Sequence, residues 1–227
     1  MNEKRTAIIL AGGRGSRMGG VDKALIKFRG KPLLAHALTS VSEIVDEVII
    51  SVRDGAQKTS IVPAIEPFVD VDVTPVRIVY DRYKDAGPLA GVHAGISAAA
   101  RGYSFICACD MPFICGDVVE MLFSCVSGHD AAIARWDNGH LEPLHGVYRK
   151  GELVKRIEES IRDGDNTILA PVFKLRDVRY VDIDDIRQVD AKLRTFVNLN
   201  TLEDIVAVED ISDRGVDEDG DNGMAEK

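Results

Sequence analysis

Short apolar runs alternate with longer amphipathic stretches from residue 6 to about residue 208. Thr6–Leu10 has the length and character of a buried strand, and a glycine-rich turn follows it at once. Leu33–Ser42 fits a helix, Glu47–Val52 is a β-branched strand, and Asp54-Gly55 is a turn signal. Val76–Tyr80 reads as a strand. Pro88–Ala100 is rich in Ala and Gly and suits a helix packed closely on a sheet. Tyr103–Cys109 predicts a strand, Asp117–Ser127 a helix, and Ala131–Ala134 and Leu144–Tyr148 two more strands. Lys150–Asp163 is helical, Val178–Asp182 is a short strand, and Leu202–Val208 is a final helix. This order predicts an α/β protein: a three-layer α/β/α, Rossmann-like arrangement with a mostly parallel sheet. Ligands of such sheets bind outside the carboxyl ends of the strands, so the loops that follow strands are where chemistry is expected.

Composition narrows the picture. The 227 residues suffice for one α/β domain, and 45% hydrophobic with 29% charged residues is ordinary for a globular protein. The net charge of −9 argues against a general nucleic-acid or membrane-surface binder, which needs a basic face. The charge is uneven: residues 209–227 hold eight acids against two bases, a net −6 that leaves −3 for the rest. We expect one domain over residues 1–208 and an acidic tail without fixed structure over 209–227. No run approaches the roughly 20 apolar residues that span a bilayer, and Met1–Arg5 lacks the pattern of a secretory signal, so a cytoplasmic location is expected. Cys107, Cys109, Cys115 and Cys125 cluster within 19 residues, a layout that suits buried thiols better than a disulfide scaffold or a zinc site.

The segment Leu10-Ala11-Gly12-Gly13-Arg14-Gly15-Ser16-Arg17-Met18-Gly19-Gly20-Val21-Asp22-Lys23 carries five glycines within nine residues. Glycine lets backbone N–H groups approach a ligand closely, and Arg14, Arg17 and Lys23 add cations, a combination suited to several phosphates. A Walker-type loop needs its lysine directly after glycine and before Ser or Thr, whereas Lys23 lies between Asp22 and Ala24. A dinucleotide fingerprint fails by one residue of spacing, and a solvated glycine-rich turn is the plain alternative.

Two aspartates stand at predicted strand ends. Asp81 precedes Gly87-Pro88-Leu89-Ala90-Gly91, where proline opens a helix; Asp81 either accepts hydrogen bonds from a nucleoside or belongs to a simple turn. Asp110, in Cys109-Asp110-Met111-Pro112, is placed to hold magnesium, which takes one or two carboxylates plus phosphates and waters, or else caps a turn.

The string L-A-G-G-x-x-x-R-M-G-G-x-D-K resembles the signature of the MobA family, the molybdenum cofactor guanylyltransferases of the nucleotidyltransferase superfamily. The resemblance spans about residues 6–208. It implies an enzyme that transfers GMP from GTP to the terminal phosphate of molybdopterin, with Mg2+ as cofactor and passing contact with molybdenum-insertion or molybdoenzyme-maturation proteins. On it, Leu10, Ala11, Gly12, Gly13, Gly15, Lys23, Asp81 and Asp110 bind GTP. Asp110 is the metal ligand, and Lys23, Asp110 and Arg17 are catalytic. The segment Glu142–Tyr148 resembles the family's chain beside the acceptor. His145 there either contacts a phosphate or supports a loop. Asn198-Leu199-Asn200-Thr201 matches a family string whose asparagines help bind the pterin. Thr201 also fits a helix cap, with Asp204 as the acidic partner of a capping box. Bacterial relatives often place an Asn that reads guanine where this chain has Ser51-Val52-Arg53-Asp54, so triphosphate binding is better determined than the base.

Overall fold

In the first strand, β1 (Arg5–Leu10), Ala7 and Ile9 enter one hydrophobic core while Ile8 and Leu10 enter another. Successive strand side chains point to opposite faces, so a strand apolar at both parities lies between two layers. The computed structural model describes residues 4–12, 22–70, 72–100 and 102–214, with side chains described as far as Val208. After β1 come the hairpin β2 (Lys27–Phe28) and β3 (Lys31–Pro32), α1 (Leu33–Ser42), β4 (Glu47–Val52), α2 (Gly55–Ile65) and β5 (Val76–Tyr80). Then follow α3 (Pro88–Ala98), β6 (Tyr103–Ala108), α4 (Gly116–Cys125), β7 (Ala131–Arg135), β8 (Leu141–Arg149) and α5 (Lys150–Arg162). The chain continues through α6 (Ala170–Phe173), β9 (Val178–Asp182), α7 (Ile183–Arg187) and α8 (Leu202–Arg214).

The main sheet has seven strands in the order β5-β4-β1-β6-β8-β7-β9. Every pairing is parallel except those of β8, which runs against both β6 and β7. One face is covered by α1, α2, α4 and α7 through residues such as Leu38, Ile61, Leu122 and Ile186. The other is covered by α3, α5 and α6 through Val92, Ile96, Leu153, Ile157 and Val172. The three-layer α/β/α reading therefore holds. Helix α3 lies especially close to the sheet: a Cβ at Gly95 would collide with the Cγ2 methyl of Ile8.

From β1 the chain winds outward to β4 and β5, then returns to place β6 on the other side of β1. The strand order reverses there, so a crevice opens at the carboxyl ends of β1 and β6. Main-chain bonds hold this rim together: Ala11 N donates to Ser51 O at 2.9 Å, Cys109 N to Leu10 O at 3.1 Å and Asp81 N to Val52 O at 3.0 Å.

The short helices α6 and α7 have no counterpart in the sequence pattern, and three further elements depart from it. Asp54-Gly55 is not a turn but the start of α2, because the Asp54 carboxylate accepts from Gln57 N at 2.8 Å and caps the helix. The β2–β3 hairpin turns through Arg29 and Gly30, both at positive φ, as two-residue hairpins favour. Helix α8 continues to Arg214, past the expected end at Val208; residues 215–227 lie outside the described residues. Among the described residues no helix is long and apolar enough to cross a membrane.

Candidate active site

Lys23 and Asp110 meet at the crevice. Lys23 opens a 3-10 turn over Lys23–Leu25, whose N-cap is Asp22: the Asp22 carboxylate accepts from Ala24 N at 3.1 Å. Asp110 follows β6. Lys23 Nζ donates to Asp110 Oδ2 at 3.1 Å and to Asn200 Oδ1 at 2.8 Å. Leu199 N donates to the Asp110 carbonyl at 2.9 Å, which pins the Asn200 segment to the end of β6. Three segments distant in sequence thus converge on one ammonium group.

Asp110 has a second feature. Its Oδ1 is buried and has no hydrogen-bond partner among the described residues. A buried carboxylate oxygen left unpaired is costly, and a cation relieves that cost. Among the described residues no group of three or more His, Cys, Asp or Glu side chains is arranged to hold a metal ion by itself. A hard divalent ion held by one carboxylate plus ligand phosphates needs none. The residues present therefore fit such an ion.

Asp81 stands at the end of β5 on the other side of Gly12. Its Oδ1 accepts from Ser51 Oγ at 2.8 Å, and its Oδ2 lies 3.3 Å from where a Cβ on Gly12 would be. Gly91 on α3 is equally confined, since its Cβ would sit 3.2 Å from Ser51 Oγ. Burial pushes the Asp81 carboxyl above its ordinary range, and the Ser51 hydrogen bond and the Arg53 charge pull it part of the way back. Leu10 and Ala11 are buried at the end of β1, whereas Gly12 is exposed beside Asp81 and the Arg53 amide. Gly13, Arg14, Gly15 and Arg17 lie outside the described residues.

His145 is not on the crevice surface. It is 0% exposed, edge-on to the rings of Phe105 and Phe196, with Nε2 at 3.0 Å from Thr195 Oγ1. Burial lowers its pKa to about 3, because an imidazolium enclosed there loses its hydration and its Nδ1 has no partner among the described residues. Of the two roles open to it from sequence, it takes the supporting one; contact with a substrate phosphate is ruled out by enclosure. Thr195 Oγ1 also accepts from Cys115 N at 3.0 Å, so the hydroxyl links β8 to the start of α4.

The asparagine pair separates in role. Neither lies in a strand, and Asn198 turns its amide to Phe196 O at 3.2 Å. Asn200 faces Lys23, so it stands on the same side of the crevice as the lysine. The capping box is present: Asp204 N donates to Thr201 Oγ1 at 3.1 Å and Thr201 N to Asp204 Oδ2 at 2.9 Å. Asn200 N gives that carboxylate a second bond at 2.7 Å, and these two amides hold Asp204 below the usual range. Cys107 and Cys109 are buried and burial raises both thiols, as inert core cysteines behave. Sequence reasoning passed over two polar groups, Ser51 and Gln57. Both are buried beside the strand ends, and a serine inside the apolar run Val48–Val52 was the available signal for the first.

Residues 7–178 match the family described as "MobA-like NTP transferase domain". A "Probable molybdenum cofactor guanylyltransferase" of Methanosarcina mazei is 47% identical over 201 residues, which cover 88% of each chain. A "Molybdenum cofactor guanylyltransferase" of Pseudomonas putida is 35% identical, covering 71% of this chain and 78% of its own. The solved structure of molybdopterin-guanine dinucleotide biosynthesis protein A from Archaeoglobus fulgidus superposes with a TM-score of 0.75 at 28% identity, covering 92% of this chain and 99% of that one.

Proposed function

The chain belongs to the MobA-like NTP transferase family, and from that premise we propose that it transfers GMP from GTP to the terminal phosphate of molybdopterin, releasing pyrophosphate. The observation that carries this reading is the convergence of Lys23, Asp110 and Asn200 at the strand-order reversal, with one Asp110 oxygen unpaired among the described residues. The acceptor phosphate oxygen attacks the α-phosphorus of GTP; a new P–O bond forms as the bond to the β-phosphate oxygen breaks. Asp110 would hold Mg2+ through Oδ1, and the ion supplies charge neutralisation to the phosphate oxygens.

The chain's own groups do the positioning. Lys23 keeps its ammonium where Asp110 and Asn200 aim it and offsets the charge that builds on the transferring phosphoryl group. Asp81, oriented by Ser51, offers its remaining oxygen to the nucleoside beside the bare backbone of Gly12. Asn200, which accepts from Lys23 Nζ, would meet the acceptor beside the lysine, and the exposed Asn198 would extend that side. No covalent enzyme intermediate is required, since rate comes from alignment and electrostatics.

The test is pyrophosphate release from GTP, ATP and CTP with magnesium and purified molybdopterin. GTP with molybdopterin turns over and the other nucleotides do not. A preference for another nucleotide, or turnover with a sugar phosphate and none with molybdopterin, overturns the assignment.

A further inference from the structure

Gln57 is 3% exposed and uses its side chain at both ends. Its Oε1 accepts from Arg53 N at 2.7 Å, at the end of β4. Its Nε2 donates to Ala11 O at 2.8 Å, just past β1, and to Asp22 Oδ2 at 2.7 Å. Its own backbone N–H is bound by Asp54 at the helix start, so the amide is held at its root. Ala11 and Asp22 lie on either side of the glycine-rich segment, and one side chain from α2 binds both. The other Asp22 oxygen caps the turn that begins with Lys23.

We propose that Gln57 is a positioning residue for the transfer reaction: by holding Asp22 to the end of β1 it sets the turn that aims Lys23 at Asp110. The inference rests on the role given to Lys23 above. A carboxamide suits this place because it accepts at one end and offers two N–H donors at the other. Glutamate has the same shape but no donor, so it would set oxygen against the Ala11 carbonyl and the Asp22 carboxylate. Leucine would remove the bonds to Ala11 O, Asp22 Oδ2 and Arg53 N together.

Gln57→Glu should lower kcat by about 10-fold or more while changing the KM for GTP by less than about 3-fold, because Lys23 acts most strongly in the transition state. Adding Asp22→Asn restores a donor facing the introduced carboxylate, so the Asp22→Asn/Gln57→Glu pair should regain at least about 3-fold of the lost kcat. In a Lys23→Ala background, Gln57→Leu should cost less than about 2-fold further, since its effect runs through a side chain already removed. Melting temperatures are taken on every variant. The inference is overturned if folded Gln57→Glu turns over like the wild type, if the paired change rescues nothing, or if Gln57→Leu costs its full factor without Lys23. A wild-type chain inactive with GTP and molybdopterin would instead sink the proposed function, and the two failures are thereby distinct.

Discussion

Replacing His145 by phenylalanine tests whether this histidine is a buried neutral prop. Its imidazole titrates at about 3, against 6.5 for an unperturbed ring. The folded-state value is depressed, so as pH falls below the ordinary value the unfolded chain takes up a proton that the native site refuses. Stability from this group is therefore complete above roughly pH 6.5 and falls by ~1.4 kcal/mol per pH unit on the way to roughly pH 3. Between about pH 7.5 and about pH 4.5 the loss comes to ~2.7 kcal/mol. Phenylalanine keeps a ring against Phe105 and Phe196 but removes one of the two partners of Thr195 Oγ1, a cost of ~1 kcal/mol that does not vary with pH. The two stability curves must then cross: wild type is the more stable at neutral pH and the variant in acid. Urea unfolding followed by circular dichroism at four or five pH values reads this directly, because all other carboxylates and histidines are common to both proteins. Parallel curves would refute the burial argument. The variant's KM for either substrate at neutral pH should stay within about 3-fold of wild type, since the ring reaches neither.

Asp110→Asn keeps the shape of the side chain and removes its charge; pyrophosphate release should fall by ~10³-fold or more at every magnesium concentration while the melting temperature stays close to wild type. Near-normal release from that variant would remove Asp110 from the reaction. Asp81 carries a pKa raised first by burial, so its native-state cost appears as pH rises through the folded value. Asp81→Asn should therefore raise the melting temperature at pH above the folded value, with the gain vanishing in acid below the ordinary carboxylate range, and raise the KM for GTP; a gain unchanged by pH contradicts the cause given. Gly95→Ala drives a methyl into Ile8 and should cost ~1–3 kcal/mol in urea unfolding, and a neutral result would show that α3 is free to move off the sheet.

Much of the architecture was legible in the strands: the central Glu47–Val52 reads as a near-continuous apolar run, and the edge strands Val76–Tyr80 and Val178–Asp182 as short β-branched segments interrupted by Arg77 and Arg179. Glu47–Val52, Val76–Tyr80 and Val178–Asp182 have the bounds their patterns predict, and so does the helix Leu33–Ser42. Helix α2 was hidden: its only buried aliphatic residues are Ile61 and Ile65, proline sits at position 63, and its cap is an Asp-Gly pair that signals a turn equally well. Asp110 stood out as a charge at a strand end and Lys23 as a cation of the glycine-rich segment. Gln57 did not, since a glutamine in a helix has no distinguishing pattern and its partners Ala11 and Asp22 are 46 and 35 residues away. His145 lies in a strand enclosed by neighbouring strands on both sides, and alternation along such a strand says nothing about access to a ligand.

Strand β8 runs against its neighbours, and that direction divides the mouth of the crevice into two halves with different freedom to diverge. On the half proposed for the nucleotide, the segments after β4 and β5 lead into the helices α2 and α3, and a change of length there displaces a whole crossover. On the other half, the β7–β8 connection is a hairpin of residues 136–140 that rises at the same edge as Asp110. It is closed by Trp136 N to His140 O at 2.8 Å, and Trp136 packs on Phe196 two residues before Asn198. A hairpin can lengthen or shorten by residue pairs without moving any helix. Insertions at 136–140 would remodel the side proposed for the acceptor and leave the side proposed for the triphosphate as it is, so that one scaffold could keep its donor and exchange its recipient.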